Sequence, residues 1–322
     1  MPQSVEPRAS VRRGGVAPAR RGLTPPRESC AIVPVMSLAF ALMLALPGAG
    51  ATVGVVWIRR AMRRWSAATE ALVKRLDDAS GARAPTAAPA DRAFDTLPAP
   101  AARYLRSVLP ASAPLARHVR VEWRGEFNLG KPAADRWVPF TATQDFVPAA
   151  PGFVWAARMR MAPGLSVVVR DAFVGGEGRM QGAVLGLVTV VDAKPTPALA
   201  TAALTRYLGE TLWFPTALLP GHGVTWEPVD EQRAFATLVA GDVRASLEFR
   251  FGADGRVASV FTPERTFDDG KNPPVLRPWQ ARIDGYVEHA GTWVPRDAVA
   301  EWLLPTGPFA YWRGTATSIQ VW

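Results

Sequence analysis

The stretch VRVEWRGEFNL, residues 119–129, alternates in character almost step by step. Val119, Val121, Trp123, Phe127 and Leu129 fall on one side of an extended chain, and Arg120, Glu122, Arg124, Glu126 and Asn128 on the other. Successive side chains of a strand point to opposite faces, so such a segment folds as a strand buried on one face and wet on the other. The same period recurs in FVWAARMRM (153–161), LSVVVRDAFV (165–174), MQGAVLGLVTVV (180–191) and VRASLEFRF (243–251). It returns in RVASVF (256–261) after the GADG turn, and in PWQARIDGYVEH (278–289), DAVAEWLL (297–304) and FAYWRGTATSIQVW (309–322). The spacing suits hairpins and meanders, and no strand–helix–strand rhythm appears, so a parallel sheet is not expected. The expectation is a mainly β chain. It has a large curved antiparallel sheet or incomplete barrel of about ten strands, with one or two packed helices, preceded by an N-terminal transmembrane helix.

Two segments break the period of two. In LPAPAARYLRSVLP (97–110), Tyr104, Leu105, Val108 and Leu109 share a helical face. In the second, Thr196 suits an N-cap with Pro197 at the first helical position, and Leu204, Tyr207, Leu208, Thr211 and Leu212 form a stripe. Arg206 and Glu210 form an i, i+4 pair on another face. Pro215 disfavours helical geometry in the residue before it, so the helix ends near Trp213. Residues 213–219 are too apolar for solvent and too rich in proline for a central strand. They are expected to plug, or form a lip over, the open side of the sheet.

The N-terminal third reads differently. Residues 1–30 are rich in Arg, Pro, Gly and Ala and are expected to be disordered. Residues 31–58 contain no charged side chain, a run longer than the roughly 20 residues that span a bilayer. Trp57, Arg59, Arg60, Arg63, Arg64 and Trp65 at its end suit a membrane interface. A cleaved signal peptide ending near Ala49-Gly50-Ala51 is the alternative, and Met36 is an alternative start. Residues 59–93 read as a helical extension, with a weak stripe at Ala71, Leu72, Arg75 and Leu76, followed by the Ala/Pro linker GARAPTAAPA. The antiparallel β domain is expected over 94–322. The expected location is a single-pass membrane protein with this domain outside the cytoplasm. Arg residues on both sides of the apolar run leave the orientation open.

Charge excludes one class of partner. The net charge is +9, but 93–322 holds 23 basic and 22 acidic residues. The basic excess flanks the apolar run instead of coating the domain, so nucleic acid is not an expected partner. Cys30 is alone, so no internal disulfide is expected. His118, His222 and His289 lack metal-ligand spacing and read as surface or loop residues. No nucleophile elbow, phosphate loop, metal or cofactor motif is present. Asp171, Glu210, Asp230 and Asp284 could supply a general acid–base pair; the alternative is that they pair with Arg170, Arg206, Arg265 or Arg282 as structural ion pairs or capping groups.

The combination RYL (103–105), W-x-PF-x-A-x-Q (137–144), GF-x-W (152–155), G-x-G-x-M (176–180), RYL-x-E-x-x-W-x-PTALLP (206–220), V-x-W-x-x-x-D (224–230) and PW (278–279) resembles a bacterial domain family of unknown function. A remoter similarity, of architecture alone, is to lipoprotein carriers of the LolA/LolB type, which implies a curved, incomplete barrel with helices filling an apolar interior. The leading expectation is a membrane-tethered β domain that binds an apolar ligand, a lipid or acyl chain, on its concave face. Candidate contacts are Arg206, Glu210, Trp213, Phe214, Leu218, Leu219, Trp226, Trp279 and Asp284. No cofactor or metal is expected. An enzyme of unknown reaction using Arg206, Glu210 and Asp284, and a structural envelope domain with a filled core, remain open alternatives.

Overall fold

A computed structural model describes residues 49–81, 91–110, 116–132, 134–221, 223–267 and 275–322. The expected disordered segment, most of the expected membrane span, the Ala/Pro linker, Cys30 and His222 lie outside them. No helix among the described residues is long and apolar enough to cross a membrane. The last ten residues of the expected span, 49–58, begin helix α1, Ala49–Ser80. A 3-10 turn, Asp91–Thr96, and helix α2, Ala99–Val108, follow.

Thirteen strands form one antiparallel sheet. The first meander is β1 (Val119–Asn128), β2 (Trp137–Val147), β3 (Gly152–Ala162), β4 (Leu165–Val174), β5 (Glu177–Val184) and β6 (Val188–Ala193). Helix α3, Pro197–Glu210, and two 3-10 turns, Thr211–Trp213 and Pro215–Leu218, then cross over. The second meander is β7 (Val224–Asp230), β8 (Arg233–Ala240), β9 (Val243–Phe251), β10 (Val257–Phe267), β11 (Val275–His289), β12 (Thr292–Leu304) and β13 (Gly307–Val321). β13 returns to pair with β1, Val121 opposite Ile319 and Phe127 opposite Trp312, and so joins the meanders into a single sheet. β6 and β7 are its two edges, and the sheet is open.

The expected count of about ten strands is too low, for identifiable reasons. β2 contains Pro139, at a point where β3 has not yet begun to pair: the β2–β3 ladder starts at Phe140 opposite Met159. The missing N–H therefore costs no bond on that side. β7 contains Pro228 and is an edge strand. β8 presents Ala234 and Ala236 to the core, side chains too small to mark a hydrophobic stripe.

α3 lies in the concavity and touches β4 and β5 on one side and β9 and β10 on the other. Thr196 caps it by accepting from the Leu199 N–H at 3.1 Å. Its approach to β5 is close: a Cβ on Gly178 would sit 2.6 Å from the Leu199 carbonyl oxygen, so only glycine fits.

The opposite face of the sheet carries a second, smaller core. Leu72, Val73 and Leu76 of α1 pack on Val147, Val154, Ala172 and Val174. The segment read as a helical extension thus docks on β2, β3 and β4 through a stripe that also includes Trp65 and Thr69. His118, read as a surface or loop residue, lies in the loop before β1 but is buried. Its Nδ1 lies 2.6 Å from Asp77 of α1, its Nε2 lies 2.8 Å from Asp145 of β2, and its ring stacks on Trp322. Burial lowers its pKa, but the hydrogen bonds to Asp145 and Asp77 outweigh burial and raise it.

A raised histidine pKa stabilises the fold fully below the unfolded value of about 6.5 and loses its contribution as pH rises through the folded value. His118→Gln should therefore melt below the wild type at pH 6, and the gap should close towards pH 9. Thermal melts of both proteins across that range check it. Leu76→Ala should cost about 2–5 kcal/mol by opening the outer core.

Candidate functional site

The register of β2, β3, β4 and β5 brings four concave-face residues into one row. Gln144 lies opposite Trp155, Trp155 opposite Asp171, and Asp171 opposite Met180. α3 sets Arg206 above this row. Its guanidinium stands 4.9 Å from the Phe153 ring centroid and 5.1 Å from that of Trp155. It donates to Asp171 Oδ2 at 2.6 Å through Nη1 and to Glu210 Oε1 at 2.9 Å through Nε. Gln144 Nε2 donates to Glu210 Oε2 at 2.7 Å.

Burial opposes the charge on Arg206, but Glu210 and Asp171 more than offset it and hold the guanidinium protonated beyond its ordinary range. Burial pushes the Glu210 carboxyl up, against the opposing pull of Arg206 and Gln144. One cation thus balances two carboxylates. Asp171 and Glu210 are clamped by the same guanidinium and do not face each other as an acid–base pair. Gln144 Oε1 and Trp155 Nε1 are buried and have no hydrogen-bond partner among the described residues.

Trp155 connects this cluster to an apolar cleft. Met159, Met161, Val169, Met180 and Val191 line it with Trp155, on the concave side of β3, β4, β5 and β6. Its cavity volume is about 30 Å³. A water-sized atom needs about 10–15 Å³ by this measure, so the cleft is narrow. Three methionines among its walls are the side chains best able to repack around a guest.

The other candidate residues are placed elsewhere. Trp213, Phe214, Leu218 and Leu219 are buried in the middle of the concave face. Trp213 meets the ring of Trp123 edge-on at 4.8 Å, and Phe214 lies 4.7 Å from the Phe146 ring. Every residue from 211 to 219 is buried, so the segment is a plug and no part of it is an exposed lip. Trp226 on β7 packs on Phe249 and donates to the Leu218 carbonyl at 3.1 Å, tying the plug to the sheet edge. Trp279 is buried on β11, donates to Tyr311 Oη at 3.0 Å and carries the Arg265 guanidinium on its ring. Asp284 is exposed on β11, opposite Asp297, and is no member of the Arg206 cluster. Arg206 and Glu210 are therefore joined by Asp171, with Gln144 as the member that sequence reading did not single out. Its signal is the strand register, which pairing alone reveals.

Arg206→Met should leave the part-buried Asp171 and Glu210 without a cation and cost about 3 kcal/mol near neutral pH, the low end for a buried pair. The penalty should shrink on acidification, as Glu210, whose carboxyl burial already pushes up, protonates, and Arg206→Met with Glu210→Gln should recover part of it. Trp213→Ala should cost about 3–5 kcal/mol. Chemical denaturation of each variant at two pH values measures both effects.

A LolA superfamily protein from Nitrosomonas europaea is similar to this chain at 9% identity, over 72% of this chain and 93% of that one, with a TM-score of 0.34. A β-barrel-like protein of the domain of unknown function DUF1849 from Brucella abortus is similar at 10% identity, over 64% of this chain and 98% of that one, with a TM-score of 0.20. No curated protein matches the chain. The model of a family of unknown function, DUF6920, matches residues 95–320. That span runs from the end of the 3-10 turn before α2 to the last residues of β13, and it includes the whole 206–220 block, so the chain belongs to the DUF6920 family.

Proposed function

We propose that the domain holds an apolar chain, such as an acyl chain, against the concave face of β3, β4, β5 and β6, with the polar end of the ligand at Trp155 and the Arg206 cluster. The observation that carries this reading is the juxtaposition at Trp155. One side of that ring lines a cleft walled by methionine and valine, and the Arg206 guanidinium stands over the ring. Sites for apolar ligands commonly combine such walls with a few convergent polar groups. The unpartnered Gln144 Oε1 and Trp155 Nε1 offer one acceptor and one donor there. Entry of a chain requires Met159, Met161 and Met180 to move aside, because the cleft as it stands is small. The plug at 213–219 is a fixed wall in this reading, not a gate.

The domain is held at a membrane in the same proposal, outside the cytoplasm, by the uncharged run that leads into α1. The supporting feature among the described residues is the start of α1, where Val53, Val55, Val56 and Trp57 are exposed just before Arg59, Arg60, Arg63 and Arg64.

A second reading, a structural domain with a filled core, is favoured by one observation, the cleft volume of about 30 Å³. Native mass spectrometry of detergent-extracted protein separates the two. Gly182 lines the cleft, and a Cβ there would sit 3.4 Å from Val191 Cβ, so Gly182→Val narrows the space. A ligand-binding domain should carry a co-purified apolar molecule whose occupancy falls about tenfold in Gly182→Val. A structural domain should carry none in either protein, and the variant should then melt lower than the wild type, because it overpacks a filled core.

A further inference from the structure

The outer face of the sheet holds a charged site that the concave face does not explain. Arg170 on β4 points away from the concavity, towards α1, and only 6% of it is exposed. Its Nη1 donates to the Trp65 carbonyl at 3.2 Å and to Thr69 Oγ1 at 3.0 Å, and its Nη2 donates to Gln181 Oε1 at 2.8 Å. Its guanidinium stacks 4.4 Å from the Trp65 ring centroid. Its Nε is buried without a partner. No carboxylate among the described residues touches it. The closest link to one runs through Gln181, which donates to Asp192 Oδ1 at 3.0 Å. Burial and the neighbouring Arg179 both lower the pKa of Arg170, as expected of a cation in positive surroundings. A buried cation without a counter-charge is costly, so such a group calls for an anion.

The space for one is present. Between α1 and the β5–β6 turn lies a cleft with a cavity volume of about 310 Å³, lined by Arg60, Arg64, Arg170, Trp57, Trp65 and Leu187 among others, and by no acidic side chain. That volume is at the small end of the range for small-molecule sites, about 300–1,000 Å³. The cleft is built and not incidental. The turn passes against the helix at Gly186, whose φ is +70° and whose added Cβ would meet Met62 Sδ at 3.2 Å. Arg60 and Arg64 lie one helical turn apart and make no ion pair among the described residues. The exposed Val53, Val55, Val56 and Trp57 continue from the cleft along α1 as an apolar surface.

We propose that this cleft binds the phosphate of a phospholipid headgroup, held by Arg60, Arg64 and Arg170, with the acyl chains lying towards Val53, Val56 and Trp57. Planar guanidinium groups match phosphate oxygens in pairs, and tryptophan favours the headgroup level of a bilayer. The site is separate from the concave cleft, on the other face of β4.

The test uses the full chain in a non-ionic detergent and isothermal titration calorimetry with dioctanoyl phosphatidic acid, dioctanoylglycerol and inorganic phosphate. Phosphatidic acid should bind saturably at one site. Arg60→Gln with Arg64→Gln, both exposed positions, should weaken it at least about tenfold without lowering the melting temperature. Dioctanoylglycerol, which lacks the phosphate, should show no dependence on these arginines, and the arginine-dependent part of phosphatidic acid binding should survive Gly182→Val. Inorganic phosphate that binds as tightly as the lipid, with the same arginine dependence, would replace the lipid by a soluble phosphate as the occupant. No saturable binding of either, or binding indifferent to the double variant, overturns the site.

Discussion

The seating of α3 and the plug in the concavity is the contact on which the rest of the molecule depends. An open sheet with thirteen strands exposes one large apolar face unless something fills it. Leu212, Trp213, Phe214, Leu218 and Leu219 do so, each with 4% exposure or less. Fully burying a side chain of this kind stabilises by roughly 1.5–3 kcal/mol, so the five together contribute on the order of 10 kcal/mol. The Arg206 cluster works on a different scale. Ion pairs out of water roughly break even against their desolvation, so the cluster adds little net stability. What it adds is direction. Two bonds tie α3 to the strands, Arg206 to Asp171 of β4 and Gln144 of β2 to Glu210, and they fix the rotation of the helix about its axis that aims the plug.

The same helix decides where space remains. The plug covers the middle strands and is tied to the β7 edge by Trp226. It does not extend over the concave side of β5 and β6, and the methionine-walled cleft lies there. The polar cluster stands at the border between filled and unfilled halves, which is why Trp155 belongs to both. On the outer face α1 gives the first meander a second layer, so β3 and β4 are buried on both sides over part of their length. The two faces of β4 thus carry opposite electrostatics. Asp171 turns inward to a guanidinium, and Arg170 turns outward to a site without a carboxylate.

Much of this was legible in the residues. Period-two alternation in 119–129 and 243–251 identified strands because each is wet on one face. The helix at 197–210 and its end before Pro215 were legible from the cap, the stripe and the proline. The plug was legible because six of the seven positions 213–219 are apolar or proline, which suits neither solvent nor a ladder. Other features were hidden for physical reasons. β8 turns alanines inward, and β2 carries a proline that its partner tolerates. The docking stripe of α1 is diluted by Arg and Lys on its wet sides, so the helix resembled a tether. Gln144 joins Glu210 only through the register of β2 on β3. Asp284 resembled a partner for Arg206 in the sequence, but β11 lies in the other meander. The 31–58 run falls mostly outside the described residues, and the proposed membrane attachment is argued from the sequence and the start of α1.

In the proposed reading the concave face divides its labour between a fixed plug and a cleft whose methionine wall moves. Native-state hydrogen exchange read residue by residue tests it most directly, because it separates local opening from global unfolding. Amides of 207–219 should exchange only through global unfolding, with the same free energy as the core of β2 and β3. Amides of β5 and β6 around Gly182 and Val191 should open at clearly lower free energy. Local, low-energy exchange across 213–219, with β5 and β6 protected to the global limit, would contradict the account and make the plug, not the methionine wall, the moving part.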